Sequence, residues 1–250
     1  GLVTGCVQSV FFGGVNAATA RVLSAEGCDV VAPDTQGCCG ALALHAGQDD
    51  DARAFARSLI ATFERLDLDQ IVINAAGCGS TMKEDGHLLK DDPEWADRAA
   101  RFAAKVRDVT ETLAALTPAR APRHPLPLRV AYHDACHLAH AQGVRQQPRD
   151  LLAAIPGVEL VALGESDICC GSAGIFNLVQ PAMAAELGAR KAGNVAAAGV
   201  DVVATSNPGC ILQIRAASRA AGAPARVAHV IELIDASIGG GDGHEWRDSH

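Results

Sequence analysis

Two pairs of adjacent cysteines, each closed by a glycine, constrain this chain more than any other feature: Gly37-Cys38-Cys39-Gly40 and Cys169-Cys170-Gly171. Each pair has a lone cysteine before it and another after it, at nearly matching distances. Cys6 precedes Cys38 by 32 residues and Cys136 precedes Cys169 by 33; Cys78 follows Cys39 by 39 and Cys210 follows Cys170 by 40. Around the last cysteine, Asp69, Gly77 and Cys78 line up with Asp201, Gly209 and Cys210. Recurrence of four cysteines in this order marks an internal duplication, so the chain reads as two copies of one unit.

Each copy alternates apolar strand-like runs with helical spacing, which is the pattern of a parallel α/β sheet. In the first copy strands are expected over 2–4, 28–32 and 69–74. Helices are expected over 16–25 and 52–66, followed by one long helix from Pro93 to about residue 116. Residues 117–127 carry four prolines and read as a linker, since proline breaks helices and removes a ladder donor. The second copy repeats the scheme with strands over 128–133, 158–163 and 201–205 and helices over 148–155, 181–198 and 211–221. A last strand and a terminal helix share 225–238. The expected architecture is therefore two duplicated Rossmann-like three-layer α/β halves, 1–120 and 128–238, with 239–250 as a disordered tail. Sites in such sheets form at the carboxyl ends of the strands. All eight repeated cysteines follow expected strands, so three loops in each half converge on one cluster.

With 49% hydrophobic but only 4% aromatic residues, the core must be built from Ala, Val, Leu and Ile. A net charge of −8 argues against nucleic acid as a partner, because phosphate binding needs a basic face. No apolar run reaches the ~18–20 residues of a membrane span, and no basic-then-apolar signal peptide is present. The expected location is cytoplasmic, with peripheral attachment to the inner membrane also compatible. In such a reducing compartment clustered cysteines bind metal or do redox chemistry more often than they form structural disulfides. The chain does not begin with Met, which suggests that a segment precedes it.

The candidate metal ligands are Cys6, Cys38, Cys39 and Cys78 in one half and Cys136, Cys169, Cys170 and Cys210 in the other. Four thiolates suit tetrahedral zinc or an iron–sulfur cluster. The spacing has neither the paired C-x-x-C knuckles of zinc ribbons nor the close cysteine run of ferredoxins. An iron–sulfur cluster is therefore favoured, zinc stays open for one of the sites, and metal-free redox thiols are a third possibility. A disulfide within an adjacent pair would be strained. Gly40 and Gly171 suit turns at positive φ whose N–H groups reach cluster sulfurs. His133 and His137 flank Cys136 and read as donors around the cluster, with ligation or proton carriage also open. Cys28 aligns with Val158 and reads as a small buried apolar residue. Lys83, Glu84 and His87 read as a solvated helix face, and Arg145, Arg149, Arg190 and Lys191 as scattered surface charge. Nothing resembles a substrate-oxidising base, a flavin site or a G-x-G-x-x-G dinucleotide loop.

Three segments carry a resemblance: Tyr132-His133-Asp134-Ala135-Cys136-His137-Leu138, the run from Glu165 through Cys169-Cys170-Gly171 to Asn177, and Asn207-Pro208-Gly209-Cys210. With the doubled spacing, they resemble the cysteine-rich CCG domain. That domain occurs in heterodisulfide reductase, in lactate-utilisation and anaerobic glycerol-3-phosphate dehydrogenase subunits, and in the iron–sulfur subunit of glycolate oxidase, which these motifs resemble in particular. The resemblance extends to about Ser237. It implies 4Fe-4S clusters serving electron transport and an FAD-containing partner subunit that oxidises glycolate to glyoxylate. It also implies a quinone or other acceptor, and a ferredoxin-like N-terminal part that is not in this sequence. This chain would then carry electrons without itself oxidising the substrate. Other readings are a lactate-utilisation iron–sulfur subunit, a heterodisulfide-reductase-like thiol/disulfide reductase, and a zinc-stabilised docking scaffold. In the reductase the last cysteine of each repeat belongs to C-x-x-C and supplies a fifth ligand. Thr81 and Gln213 stand at those positions here, which implies four-cysteine sites.

Overall fold

The computed structural model describes residues 1–116 and 118–240. Short buried apolar runs form its strands. In the first half β1 (Leu2–Val3), β2 (Ile71–Ile73) and β3 (Val106–Asp108) make a parallel sheet in the order β1-β2-β3. The second half carries β4 (Arg129–Tyr132), β5 (Glu159–Val161), β6 (Val202–Thr205) and β7 (Val227–His229), parallel in the order β5-β4-β6-β7. Counting back from Cys78 and Cys210 sets Val72 against Ala204. Leu2 pairs with Val72 just as Tyr132 pairs with Ala204, so Val3 and His133 occupy corresponding positions.

The helices of the first half are α1 (Cys6–Phe11), α2 (Gly13–Ala25), α3 (Ala41–His45), α4 (Asp49–Phe63), α5 (Ala76–Lys83), α6 (Asp85–Leu88), α7 (Ala96–Lys105) and α8 (Val109–Ala115). The second half has a π-helical turn (His137–Ala141), then α9 (Gln147–Ala153), α10 (Phe176–Val179), α11 (Pro181–Ala198), α12 (Pro208–Ala220) and α13 (Val230–Gly239). The single long helix expected up to residue 116 is instead α7, β3 and α8. Buried Phe102, Val106, Val109 and Leu113 carry an apolar rhythm across the break, which hid it. The break itself is made by Asp108, which accepts from the Thr110 N–H at 2.8 Å while Glu111 accepts from the Asp108 N–H at 2.8 Å. This capping box restarts the chain as a helix. His229 and Glu232 form the same box between β7 and α13, so the duplication runs through the last strand and helix of each half.

Other boundaries also differ from expectation. Residues 28–32 form no regular strand; the Leu2 N–H donates to the Val31 carbonyl at 2.7 Å, while the corresponding segment of the other half is β5. Helix α12 begins at Pro208, so Cys210 lies inside its first turn. Gly239 ends α13 and Gly240 closes it at φ 71, so these two residues are not tail. The remainder of the expected tail, and Thr117 of the linker, lie outside the described residues.

One apolar core is shared by both halves. Val15, Val22 and Leu113 of the first meet Val130, Val203 and Ile231 of the second in a single cluster. Helix α2 packs on α13, and α8 packs on α9. Because α9 corresponds to α2 and α13 to α8, the same pair is made twice with roles exchanged, the signature of an approximate twofold axis. A second core lies on the outer face of the first sheet, where Leu59, Ile60 and Phe63 of α4 meet Ile73 and Phe102. Successive β2 residues point to opposite faces, which sends Val72 to the shared core and Ile73 to the outer one. Buried polar bonds pin the arrangement: His229 Nε2 donates to the Asn74 carbonyl at 2.8 Å, and Glu26 accepts from Arg123 and from the Arg120 N–H. The last pair ties the proline-rich connection to α2. Among the described residues no helix is long and apolar enough to cross a membrane.

Candidate metal centre

The twofold arrangement brings the carboxyl ends of both sheets to one place. Cys6 opens α1 after Gly5 at φ 65, Cys38 and Cys39 lie in the loop before α3, and Cys78 is in the first turn of α5. In the second half Cys136 precedes the π-helical turn, Cys169 and Cys170 lie in the loop after β5, and Cys210 is in the first turn of α12. Seven of the eight, all but Cys169, line one cleft of about 230 Å³. The loops of each half do converge, and the two sets then face each other across that cleft. The cysteines are thus positioned for metal binding. Cys28 stays apart, half-buried against the shared core.

Each set is a chain of close sulfurs. Cys6 and Cys38 Sγ are 3.5 Å apart, and Cys170 Sγ is 3.4 Å from Cys210 Sγ. All described cysteines are free thiols. Cys136 and Cys170 are pushed far above the usual thiol range, first by the adjoining Cys169 sulfur and then by burial and the other cysteines of the set. Cys169 is pulled down by accepting from Cys136, and Cys210 by accepting from Cys170. A cation bound to such a set displaces the thiol protons, because the thiolate is the metal ligand. The donor set therefore fits a thiophilic metal or an iron–sulfur cluster.

The backbone is arranged to match. Gly40 at φ 79 donates its N–H to Cys38 Sγ at 3.4 Å, and Gly171 at φ 95 donates to Cys169 Sγ at 3.3 Å. Both glycines press against helix backbone: a Cβ on Gly40 would stand 3.0 Å from the Ala52 carbonyl, and one on Gly171 2.5 Å from that of Ala184. Helices α5 and α12 begin at the cleft, so their positive ends face it, which favours thiolate charge. Asn207 joins the two. Its Oδ1 accepts from the Gly77 N–H at 3.2 Å and its Nδ2 donates to Cys210 Sγ at 3.5 Å. Sequence position marks Asn207 as the cap of its own helix, α12; tertiary contact lends its side chain to the start of α5 instead.

The flanking polar residues divide. His137 lines the cleft, with Nδ1 3.6 Å from Cys136 Sγ and its ring edge-on to His45 of the other half, 5.3 Å between centroids. His133 is buried within 4.8 Å of Cys170 and Cys210. Asp134 is held below the usual carboxylate range by Arg149, which grips both oxygens at 2.7 and 2.6 Å against the opposing effect of burial. Lys191 is not surface charge. It is 1% exposed on α11 and donates to the Glu165 and Ser166 carbonyls, anchoring the loop that leads to Cys169. Buried positions Ala52, Ala56, Leu59, Ile60 and Phe63 of α4 match Ala184, Gly188, Lys191, Ala192 and Val195 of α11, so Lys191 takes the place of Leu59. Arg190 pairs with Glu165, and Arg145 reaches the His140 ring at 2.8 Å. Lys83 is likewise engaged, with Glu111 at 2.5 Å. Sequence reasoning missed Lys191, whose signal was available: a lysine at an apolar position of the helical repeat. Thr81 bonds its own helix through the Gly77 carbonyl at 3.2 Å, and Gln213 reaches the Ala184 carbonyl at 3.4 Å, so both fifth-cysteine positions hold side chains turned to backbone.

A doubled parallel α/β unit with one cysteine set per copy, opening on a common cleft, defines a cysteine-rich redox or metal-binding domain. The chain belongs to the CCG cysteine-rich domain family, whose model matches residues 1–83 and 130–215. It is 38% identical over 239 residues to the "probable glycolate oxidase iron-sulfur subunit" of Bacillus subtilis, an overlap of 92% of this chain and 53% of that protein. It is 30% identical over 230 residues to lactate utilization protein A of Shouchella clausii, covering 92% of this chain and 95% of that one. The corresponding protein of Geobacillus kaustophilus is 31% identical over 231 residues, covering 92% and 96%. The chain thus spans about half the length of the Bacillus subtilis relative and nearly all of the two lactate utilization proteins.

Proposed function

We propose that this chain is an iron–sulfur electron-transfer subunit of a complex that oxidises a 2-hydroxy acid, with glycolate as the substrate. Glycolate is oxidised to glyoxylate on an FAD-containing partner, and the electrons leave towards a quinone. The observation that carries this reading is the meeting on one cleft of seven of the eight cysteines, drawn from both sets. Cys6, Cys38, Cys39 and Cys78 hold one centre; Cys136, Cys169, Cys170 and Cys210 hold the other. A bound cluster supplies one-electron chemistry. The protein's part is to supply thiolates, to donate the Gly40 and Gly171 N–H groups to cysteine sulfur, and to face the site with helix N-termini that offset its negative charge.

Lactate in place of glycolate is the second reading, favoured by the nearly end-to-end overlap with lactate utilization protein A. A disulfide-reducing role needs a fifth, labile sulfur ligand, and the engagement of Thr81 and Gln213 with helix backbone speaks for four-cysteine sites. The test is anaerobic purification followed by iron and acid-labile sulfide analysis, then reduction of the protein by its flavoprotein partner with glycolate or lactate. Iron and sulfide in both sets, with faster reduction by glycolate, is the expected result. Zinc without sulfide overturns the electron-transfer reading.

A further inference from the structure

His133 stands out among the buried polar groups. It follows β4, where its N–H donates to the Ala204 carbonyl at 2.9 Å, so its backbone is held by the sheet. Its side chain is 1% exposed, and among the described residues neither ring nitrogen has a hydrogen-bond partner. A buried polar atom left without a partner is destabilising. His229 shows how this fold satisfies a histidine it uses structurally: Nε2 donates to the Asn74 carbonyl and Nδ1 accepts from the Ile231 N–H. The position His133 occupies is an apolar one, filled in the other half by Val3 at 0% exposure. The neighbouring departure from the repeat, Lys191 at the place of Leu59, is accounted for by the carbonyls it holds. Within the protein, the imidazole of His133 is not accounted for in this way.

What it does face is sulfur. One ring nitrogen of His133 and the Sγ atoms of Cys170 and Cys210 all lie within 4.8 Å of one another, and all three residues are buried. Donors bound at ~2.0–2.3 Å to one tetrahedral ion stand roughly 3.5–4 Å apart, so a small closure of this trio seats a single metal ion. We infer that His133 is a direct ligand of the second centre, which is therefore a mixed imidazole–thiolate site, while the first is all-thiolate. The inference rests on reading the second cysteine set as a metal centre. Coordination gives one orphaned nitrogen a partner, and it explains why the duplication exchanged Val3 for a histidine on this side alone.

The test is pulsed electron paramagnetic resonance on the whole chain, reconstituted anaerobically with iron and sulfide and then reduced. Two samples carry histidine with either natural-abundance or 15N-labelled rings. The expected result is a strong nitrogen coupling, of the size given by a directly bound imidazole, that changes with the isotope. It is lost in His133→Val and retained in His137→Gln. Because Val3 occupies the same place, His133→Val should fold, and without metal it should unfold at a urea concentration no lower than the parent, since it removes two unmet nitrogens. A purely structural histidine would lower that midpoint. Iron and sulfide bound with only the weak coupling of a nitrogen hydrogen-bonded to sulfur overturns the ligand assignment and leaves the proposed function standing. Absence of iron and sulfide from the parent protein overturns both.

Discussion

Gly171→Ala is the substitution that the site geometry opposes most strongly. Gly171 sits at φ 95, and a Cβ there would lie 2.5 Å from the Ala184 carbonyl oxygen of α11. A left-handed backbone costs an L-residue about 1–2 kcal/mol, and relief of an overpacked contact costs about 1–3 more. The sum is about 2–5 kcal/mol, against ~5–15 kcal/mol of total stability for a typical native protein. The variant should therefore stay folded but relieve the contact by moving the Cys169-Cys170 loop off α11. That movement also lengthens the Gly171 N–H contact to Cys169 Sγ, now 3.3 Å. Gly40→Ala is the internal control: φ is 79 and the approach to the Ala52 carbonyl is looser, at 3.0 Å. Its cost should fall near the lower end, about 1–3 kcal/mol. Urea unfolding of the metal-free proteins measures both, and iron and sulfide per chain after reconstitution measures the consequence for the site. Gly171→Ala should lose more stability than Gly40→Ala, with metal loss confined to the second set. A change of less than about 0.5 kcal/mol for Gly171→Ala, the range of an ordinary surface substitution, would refute the clamping of this loop on α11.

Two further outcomes are expected. Cys170→Ser should abolish the second centre and leave the first, so that iron and sulfide fall to about half; loss of both centres would show that the facing sets act as one site. Asp85 is fully buried, with neither carboxylate oxygen hydrogen-bonded among the described residues, and burial pushes its pKa from 3.8 up to about 8. Its folded form holds a proton that the unfolded chain has already lost above pH 4, so stability falls as pH rises from about 4 to 8, by roughly 4 kcal/mol. Asp85→Asn should remove that fall, and urea midpoints at pH 5 and pH 8 that drop equally in parent and variant would contradict it.

Much of the architecture is legible in the chain because it is local or periodic. The two cysteine sets, the strand–helix alternation and most of the helix positions follow from spacing and apolar rhythm. The break at Asp108 was not legible, because buried residues on α7, β3 and α8 keep one helical rhythm while a capping box and a sheet partner decide otherwise. Lys191 read as surface charge because a lysine is ordinarily solvated; its burial depends on the loop at Glu165, which lies far away in sequence.

The sequence alone determined that there are two four-cysteine sets, in what order their thiols come, and that glycine must follow each adjacent pair. These are matters of covalent order and of backbone angles that only glycine adopts easily. Only the tertiary structure decided that the two sites face each other across one cleft, because that follows from the shared core that α2 and α13, and α8 and α9, build about an approximate twofold axis. The same packing made the sites unlike. It buried His133 and Lys191 where the first half buries Val3 and Leu59, and set the ring of one of them beside the Cys170 and Cys210 sulfurs.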